Sequence, residues 1–387
     1  MRGVRVSVFA PVGTLDHQTG ILNAVHCFAS AGFEVDVFTI RNRHHQAPVF
    51  ESSAVRLCFL PWTFDSEREP RTVVTLLFIA WILCTFWRSH PVIFAGGIRG
   101  LVAAYAYSLL RRTRIINYQT ELYVGSKLDT RAAALFKALE RRAAQRSVVT
   151  IEHTEERRSL LAEDLGVPVE RIVIVPNAPV GLARRINSTF LHLRLGLSGS
   201  KRILLCPGTI GDEFEAPTVV KAAQALPPEW VCVLHSAQRR SADEPYLKRL
   251  RDMDRGSRVA WSLEPIPYGQ IDELMGSARI GMALYSATVG ENYSTVGLAS
   301  GKLSHFLRVG VPVIVSPLPG LADFVVDHGI GEVLEDPHRL NEIIARIEAN
   351  WHEYHARALR CFDAFLSYDQ AFKPIITLID QSEGRRV

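Results

Sequence analysis

Gly290–Asp323 reads GENYSTVGLASGKLSHFLRVGVPVIVSPLPGLAD, and the order of its parts decides the fold. Gly297-Leu298-Ala299-Ser300-Gly301-Lys302 leads into a helical stretch, Leu303–Arg308, then Gly310, then the short apolar run Pro312–Val315. Helix, glycine and buried strand in that order belong to a parallel sheet with helices on its faces. Ser300 is a natural N-cap, since its side-chain oxygen can accept a first-turn amide. The other amides at that helix start have no intrahelical partner and stand at the positive end of the helix. Lys302 adds a full positive charge where helix stability alone would favour an anion. Such a turn is a ready seat for a diphosphate.

The same alternation runs outward in both directions. Helices at Leu340–Asn350 and Trp351–Phe365 close the series, and Tyr368–Gln381 reads as a last helix, broken or started afresh at Pro374. Before the quoted stretch, strands are expected at Arg202–Cys206, Trp230–Leu234, Val259–Trp261 and Ile280–Leu284, with helices between. At Pro176-Asn177-Ala178-Pro179 the pattern breaks. Residues 180–200, with Arg184-Arg185, Gly196 and Gly199, read as an irregular interdomain linker. An earlier series supplies strands at Val4–Ala10, Phe33–Thr39, Val55–Leu60, Val92–Ala95, Arg114–Tyr118, Val148–Ile151 and Ile172–Val175. Gly20–Ala31 carries Ile21, Leu22, Val25, Phe28 and Ala29 on one helical face, and Gly32 ends it. Phe33, Val35 and Val37 alternate with Glu34 and Asp36, as in a half-exposed strand. Gly96-Gly97-Ile98-Arg99-Gly100 reads mainly as a turn.

The expected fold class is α/β, with two doubly wound Rossmann-like domains facing a central cleft. The N-terminal domain takes residues 1–180 and the C-terminal domain 181–365, with a helix at 366–387 packing back toward the N-terminal domain. Open sheets of this kind bind ligands beyond the carboxyl ends of their strands.

Composition narrows the class. A chain of 387 residues is too long for one ordinary core, and 48% apolar with 22% charged residues excludes a disordered chain. The net charge of +4, from 44 basic and 40 acidic residues, is too balanced for a nucleic-acid partner. Cys27, Cys58, Cys84, Cys206, Cys232 and Cys361 are scattered with no CxxC pair, which reads as buried thiols in a reducing compartment. Met1–Arg5 runs straight into a strand without a leader, so a cytoplasmic location is expected. Val73–Trp87 holds fifteen uncharged residues, short of the ~20 that span a membrane, and reads as a buried or membrane-surface helix.

The quoted stretch also resembles the nucleotide-sugar-binding region of retaining, family 4-like GT-B glycosyltransferases, whose pattern S/P-x-K-L-x-E-Y-L-x-x-G-x-P-V-I reads here, over Ser300–Ile314, SGKLSHFLRVGVPVI. Val173–Asn177, Ile203–Gly208, Cys232–Ser236 and Leu263–Tyr268 with Leu274 are similar to further family segments in the same order. The resemblance spans about the whole chain and is specific in its second half. It implies a GT-B fold and a hexosyltransferase that moves a sugar from a UDP- or GDP-linked donor to a saccharide, lipid-linked or polysaccharide acceptor. It further implies retention of configuration, polysaccharide or cell-envelope biosynthesis, no cofactor beyond the nucleotide sugar as co-substrate, and no metal.

It assigns donor binding to Gly208, Thr209, Glu291, Tyr293, Leu298, Ser300, Gly301, Lys302 and His305. His305 stands where the family usually has a ribose-binding glutamate, and Gly297 where it has a second one. The turn Gly208-Thr209-Ile210-Gly211-Asp212-Glu213 lacks the family's arginine and lysine, so Lys302 and the helix start carry the diphosphate alone, or an arginine arrives from elsewhere. On the acceptor side, Pro11–Gly20 keeps Gly13 and Gly20 of a glycine-rich turn and adds Asp16, His17 and Gln18. Lys302, His17 and Glu121 are the candidate catalytic residues; His17 titrates near neutrality and Glu121 follows a strand's carboxyl end. The apolar Val73–Trp87 helix and Arg111, Arg112 and Arg114 point to a peripheral membrane contact. Two alternatives stand beside this reading: a non-catalytic GT-B subunit that binds sugar nucleotide or a partner, and an NDP-sugar epimerase. A nicotinamide dehydrogenase is disfavoured, because Pro11-Val12-Gly13-Thr14 replaces G-x-G-x-x-G after the first strand.

Overall fold

The computed structural model describes residues 4–43, 47–65, 71–85, 90–122 and 131–383. The chain forms two compact units, one of Met1–Pro176 with Tyr368–Val387, the other of Asn177–Ser367.

The first unit runs β1 (Arg5–Ala10), α1 (Thr19–Ser30), β2 (Glu34–Asn42), β3 (Val55–Phe64), α2 (Arg71–Thr85), β4 (Val92–Gly96), α3 (Gly97–Leu110), β5 (Arg114–Tyr118), α4 (Arg131–Arg146), β6 (Val149–Glu152), α5 (Glu155–Leu165) and β7 (Ile172–Ile174). Its strands form one sheet in the order β3-β2-β1-β4-β5-β6-β7, every pair parallel. Helices on both faces bury the central strands, so β2 is not the half-exposed strand its alternation suggested. Asp36 is buried, held by Arg56 through Nε at 2.9 Å and Nη2 at 3.0 Å. A buried carboxylate requires such pairing. The turn expected at Gly96–Gly100 is also absent: β4 ends at Gly96 and α3 starts at Gly97.

The second unit runs α6 (Phe190–Leu195), β8 (Arg202–Gly208), α7 (Ala216–Ala223), β9 (Trp230–Ser236), α8 (Pro245–Met253), β10 (Val259–Ser262), α9 (Ile271–Gly276), β11 (Ile280–Ala283), α10 (Glu291–Ser294), α11 (Gly301–Arg308), β12 (Val313–Val315), α12 (Leu321–Asp327), β13 (Gly331–Val333), α13 (Leu340–Ala349) and α14 (Trp351–Phe365). The sheet order is β10-β9-β8-β11-β12-β13, again parallel. Residues 180–200, expected as an irregular interdomain linker, belong to the second unit and are irregular only outside residues 190–195. They hold α6, whose Leu191 is fully buried, and Arg184 N–H donates to the Arg308 carbonyl at 2.8 Å. Strand β13 escaped the sequence reading because Gly-Glu-Val offers no apolar run.

The last helix, α15 (Tyr368–Glu383), belongs to the first unit and continues through Pro374 rather than breaking there. A proline in a helix interior costs about 3 kcal/mol. The fully buried stripe of Tyr368, Phe372, Ile375 and Ile379 offsets it, with the Phe372 ring 5.2 Å from that of Phe28 on α1.

Candidate functional site

In the second unit β8 and β11 are neighbours although they are first and fourth of its strands in chain order. In open sheets of this topology the connections leave such a pair toward opposite sides, and ligands bind beyond the strand ends there. Helix α11 begins at this place. Ser300 caps it, its Oγ accepting the Leu303 amide at 3.2 Å, and the Tyr285 hydroxyl, just past β11, lies 2.6 Å from the same Oγ. With Leu303 satisfied by the cap, the amides of Gly301 and Lys302 remain without an intrahelical carbonyl. Leu303, Phe306 and Leu307 anchor the helix in the core below.

Lys302 reaches back over the sheet edge. Its Nζ lies 3.9 Å from the Phe214 ring centroid and 5.1 Å from that of Tyr285. It is shielded from water and has no hydrogen-bond partner among the described residues. Burial pulls the ammonium down to about 8 from its ordinary 10.5, while the nearby Cys206 and Glu213 pull it back up. Aromatic faces stabilise a cation without consuming its N–H donors. Gly208, the last residue of β8, has φ +110°, and a Cβ there would stand 2.9 Å from Lys302 Cε. The glycine therefore serves both the backbone conformation and the passage of the lysine stem.

The structure thus brings Gly208, Ser300, Gly301 and Lys302 together. Thr209 continues the β8 turn, half-buried. Tyr293 on α10 packs edge-on against Phe214, with ring centroids 5.6 Å apart, one ring away from the lysine. Leu298 packs against the core below, and Glu291 opens α10 with its carbonyl accepting the Thr295 hydroxyl at 2.6 Å. His305, one turn further along α11, is buried beside α9: its Nδ1 is 3.7 Å from Asp272 Oδ1. Burial pushes the Asp272 carboxyl up, but His305, Arg308 and Arg184 outweigh it and hold that group down to about 2.

The sequence reading missed Phe214 and Tyr285, which seat the lysine. Their signal was only positional, an aromatic residue shortly after each of two strand ends. It also missed Arg240, which reaches the turn after β8. Arg240 Nη1 donates to the Ile210 carbonyl at 3.1 Å, and its Nε donates to Glu244 at 2.6 Å.

In the first unit the corresponding switch lies between β1 and β4. The loop after β1 contains a 3-10 turn, Leu15–His17, and leads into α1 at Gln18. Gly13 packs on Asn42 at the end of β2, and Asp16 is half-buried. The side chain of His17 lies outside the described residues. Gly20 belongs to α1, and its missing Cβ makes room for the Tyr118 hydroxyl. Glu121 is exposed three residues beyond β5.

Comparison with known proteins agrees with this architecture. Residues 17–178 match the model of the glycosyl transferase 4-like domain, and residues 281–370 match that of the glucosyltransferase 3-like C-terminal domain. No curated protein matches the chain by sequence. Among solved structures, sucrose-phosphate synthase from Thermosynechococcus elongatus is similar with a TM-score of 0.74 at 17% identity, covering 98% of this chain and 99% of that one. Anabaena HepE in complex with UDP and glucose is similar with a TM-score of 0.67 at 13% identity, covering 99% of both chains. WaaG, a glycosyltransferase involved in lipopolysaccharide biosynthesis, gives 0.66 at 15% identity over 96% of this chain and 98% of its own. At these identities the structural likeness carries the fold, and the domain models carry the family. Two glycosyltransferase models matched in order along two Rossmann-like parallel sheets make this protein a family 4-like glycosyltransferase of the GT-B fold.

Proposed function

We propose that the protein moves a sugar from a UDP- or GDP-linked donor to a saccharide, lipid-linked or polysaccharide acceptor, with retention of configuration and without a metal ion. The observation that carries the reading is Lys302 Nζ: a buried ammonium with no hydrogen-bond partner among the described residues, beside the unsatisfied start of α11 at the switch point of the sheet. A diphosphate supplies what these groups lack, namely oxygens for the Gly301 and Lys302 amides and a counter-charge for the ammonium. The HepE structures with UDP and with UDP-glucose support a nucleotide sugar as the ligand class.

Transfer builds negative charge on the departing diphosphate. Preorganised amides and a desolvated ammonium stabilise it where water cannot screen them. In same-face attack the leaving phosphate oxygen takes the acceptor's proton, so no protein nucleophile is needed. The remaining donor contacts are assigned to Gly208, Thr209, Glu291, Tyr293, Leu298, Ser300 and His305, and acceptor contacts to Gly13, Asp16, His17, Gln18 and Glu121.

The second reading, a binding subunit without turnover, draws on His305 being engaged with Asp272 and Arg240 with Glu244. One experiment separates the readings. The protein is screened for thermal stabilisation by UDP-, GDP- and dTDP-sugars, then for release of nucleotide diphosphate with saccharide and lipid-linked acceptors. Release that depends on acceptor supports transfer, donor conversion without acceptor indicates an epimerase, and stabilisation without turnover supports the subunit. Lys302→Ala is expected to lower transfer by about 10²-fold, the scale of losing one oxyanion-type donor; wild-type rates in that variant would overturn the assignment.

A further inference from the structure

Asn177 is the first residue of the second unit. From there the chain runs beside α11 for the whole length of that helix. Asn177 engages its first turn, Ala178 is buried in the same core as Leu303 and Leu307, and Arg184 N–H ends on the carbonyl of Arg308, its last residue. Asn177 holds the first turn by two hydrogen bonds of opposite sense. Its Nδ2 donates to the Ala299 carbonyl at 3.1 Å, and its own carbonyl accepts the Ser304 hydroxyl at 2.8 Å. Ser304 is fully buried, and its Oγ also lies 3.0 Å from the Gly301 carbonyl. A Cβ added at Gly301 would stand 3.5 Å from Asn177 Nδ2, so the carboxamide lies against a residue whose amide is open.

The helix cannot supply these bonds itself. Ser300 is the cap, and its carbonyl accepts the Ser304 amide as the first bond of the ladder. The Ala299 carbonyl precedes the cap and has no place in that ladder. Beside a seat for an anion, an unpaired carbonyl oxygen opposes the phosphate oxygens and leaves the Ala299–Ser300 peptide free to turn. Donation from Asn177 takes up that oxygen and fixes the peptide plane from which the Gly301 and Lys302 amides follow. Such fixing matters for rate, because a misplacement of about 1 Å in a reacting geometry can cost about 10²-fold. A group that orients others is supported from outside its own element, and Asn177 stands 122 positions before Ala299 in the chain.

We propose that Asn177 is a positioning residue for the diphosphate: through the Ala299 carbonyl and the Ser304 hydroxyl it sets the direction of the two open amides of α11. The inference rests on the nucleotide-sugar reading of that helix start and adds to it a residue from outside the helix. Two variants of the full chain test it. Asn177→Asp keeps the shape of the side chain and exchanges its donor for an acceptor. Ser304→Ala removes the other bond of the clamp from the helix side. Affinities for UDP and for uridine are measured by ligand-observed NMR, with GDP and guanosine as a second pair, and thermal midpoints are recorded alongside. Asn177→Asp is expected to weaken the diphosphate about tenfold and Ser304→Ala about threefold, the scale of one hydrogen bond lost in each. The nucleoside, which has no phosphate to place, should bind both variants as it binds wild type. General loosening of the second unit would weaken nucleotide and nucleoside together, so the difference between the two ligands reads positioning. If Asn177→Asp does not fold, Ser304→Ala decides by the same comparison. An unchanged diphosphate affinity, or equal losses for nucleotide and nucleoside, would overturn the proposal while leaving the transferase reading in place. Wild-type protein that binds neither UDP nor GDP would remove that reading, and the role of Asn177 with it.

Discussion

Lys302 combines a full charge, an aromatic seat and a lack of acceptors, and the combination has a pH signature. Folded, it titrates at about 8; unfolded, near 10.5. Between those values the unfolded chain binds more protons, so the stability of the ligand-free protein rises with pH as the penalty of burying the charge disappears. Affinity for a nucleotide diphosphate runs the other way, because deprotonation removes the counter-charge. Calorimetric titration with UDP should show binding tenfold or more weaker at about pH 9.5 than at about pH 7, and a flat profile in Lys302→Ala. Gly208→Ala should cost about 1–2 kcal/mol from the positive φ alone and should also displace the lysine stem, weakening nucleotide binding. Gly199→Ala, where an added Cβ meets nothing, is the control expected to be neutral; equal denaturation midpoints for all three proteins would refute the role given to Gly208. The lysine itself was legible in the sequence as a cation on the wrong end of a helix. Its environment was not, because Phe214 and Tyr285 come from loops far from it along the chain.

At the scale of elements, α11 is the piece on which the site stands, and its start depends on one hydroxyl. Ser300→Ala removes the acceptor of the Leu303 amide and leaves the Tyr285 hydroxyl without its neighbour. A lowering of unfolding free energy by about 1 kcal/mol is expected from urea denaturation, with a larger proportional loss of nucleotide affinity; Ser300→Thr, which retains the acceptor, should restore most of both. Cap, helix and following strand were all readable, since each is a relation between residues a few positions apart. Strand β2 and helix α15 were misread for the converse reason. Asp36 looked exposed until Arg56 on β3 came to pair with it, and Pro374 looked like a break until the packing of α15 in the first unit outweighed its cost.

Across the whole molecule, each unit contains a buried histidine that is kept neutral. His90 shares a hydrogen bond with Ser7 at 2.6 Å in the first unit, and His235 one with Ser262 at 2.9 Å in the second. Burial lowers both from 6.5 to about 4. Between those values the unfolded chain takes up protons that the folded chain refuses, so stability is full above 6.5 and declines as pH falls toward 4. Thermal midpoints should therefore drop between about pH 7 and about pH 5, and a His90→Gln, His235→Gln variant should lose most of that slope; an unchanged midpoint in wild type would contradict the buried, neutral state.

The alternation of apolar runs and helical faces, the Ser300 cap and the glycine that ends each turn were determined by the sequence alone, and with them the α/β class and the place of the helix start proposed to seat the diphosphate. These features are set by periodicity and by hydrogen bonds spanning three or four residues, which any reader of the chain can follow. Which rings hold Lys302, that His305 turns to Asp272, that Asp36 is buried and that α15 continues through Pro374 were decided only by tertiary structure. Burial of an ionisable group depends on partners brought from distant parts of the chain, and no local pattern records which distant part arrives.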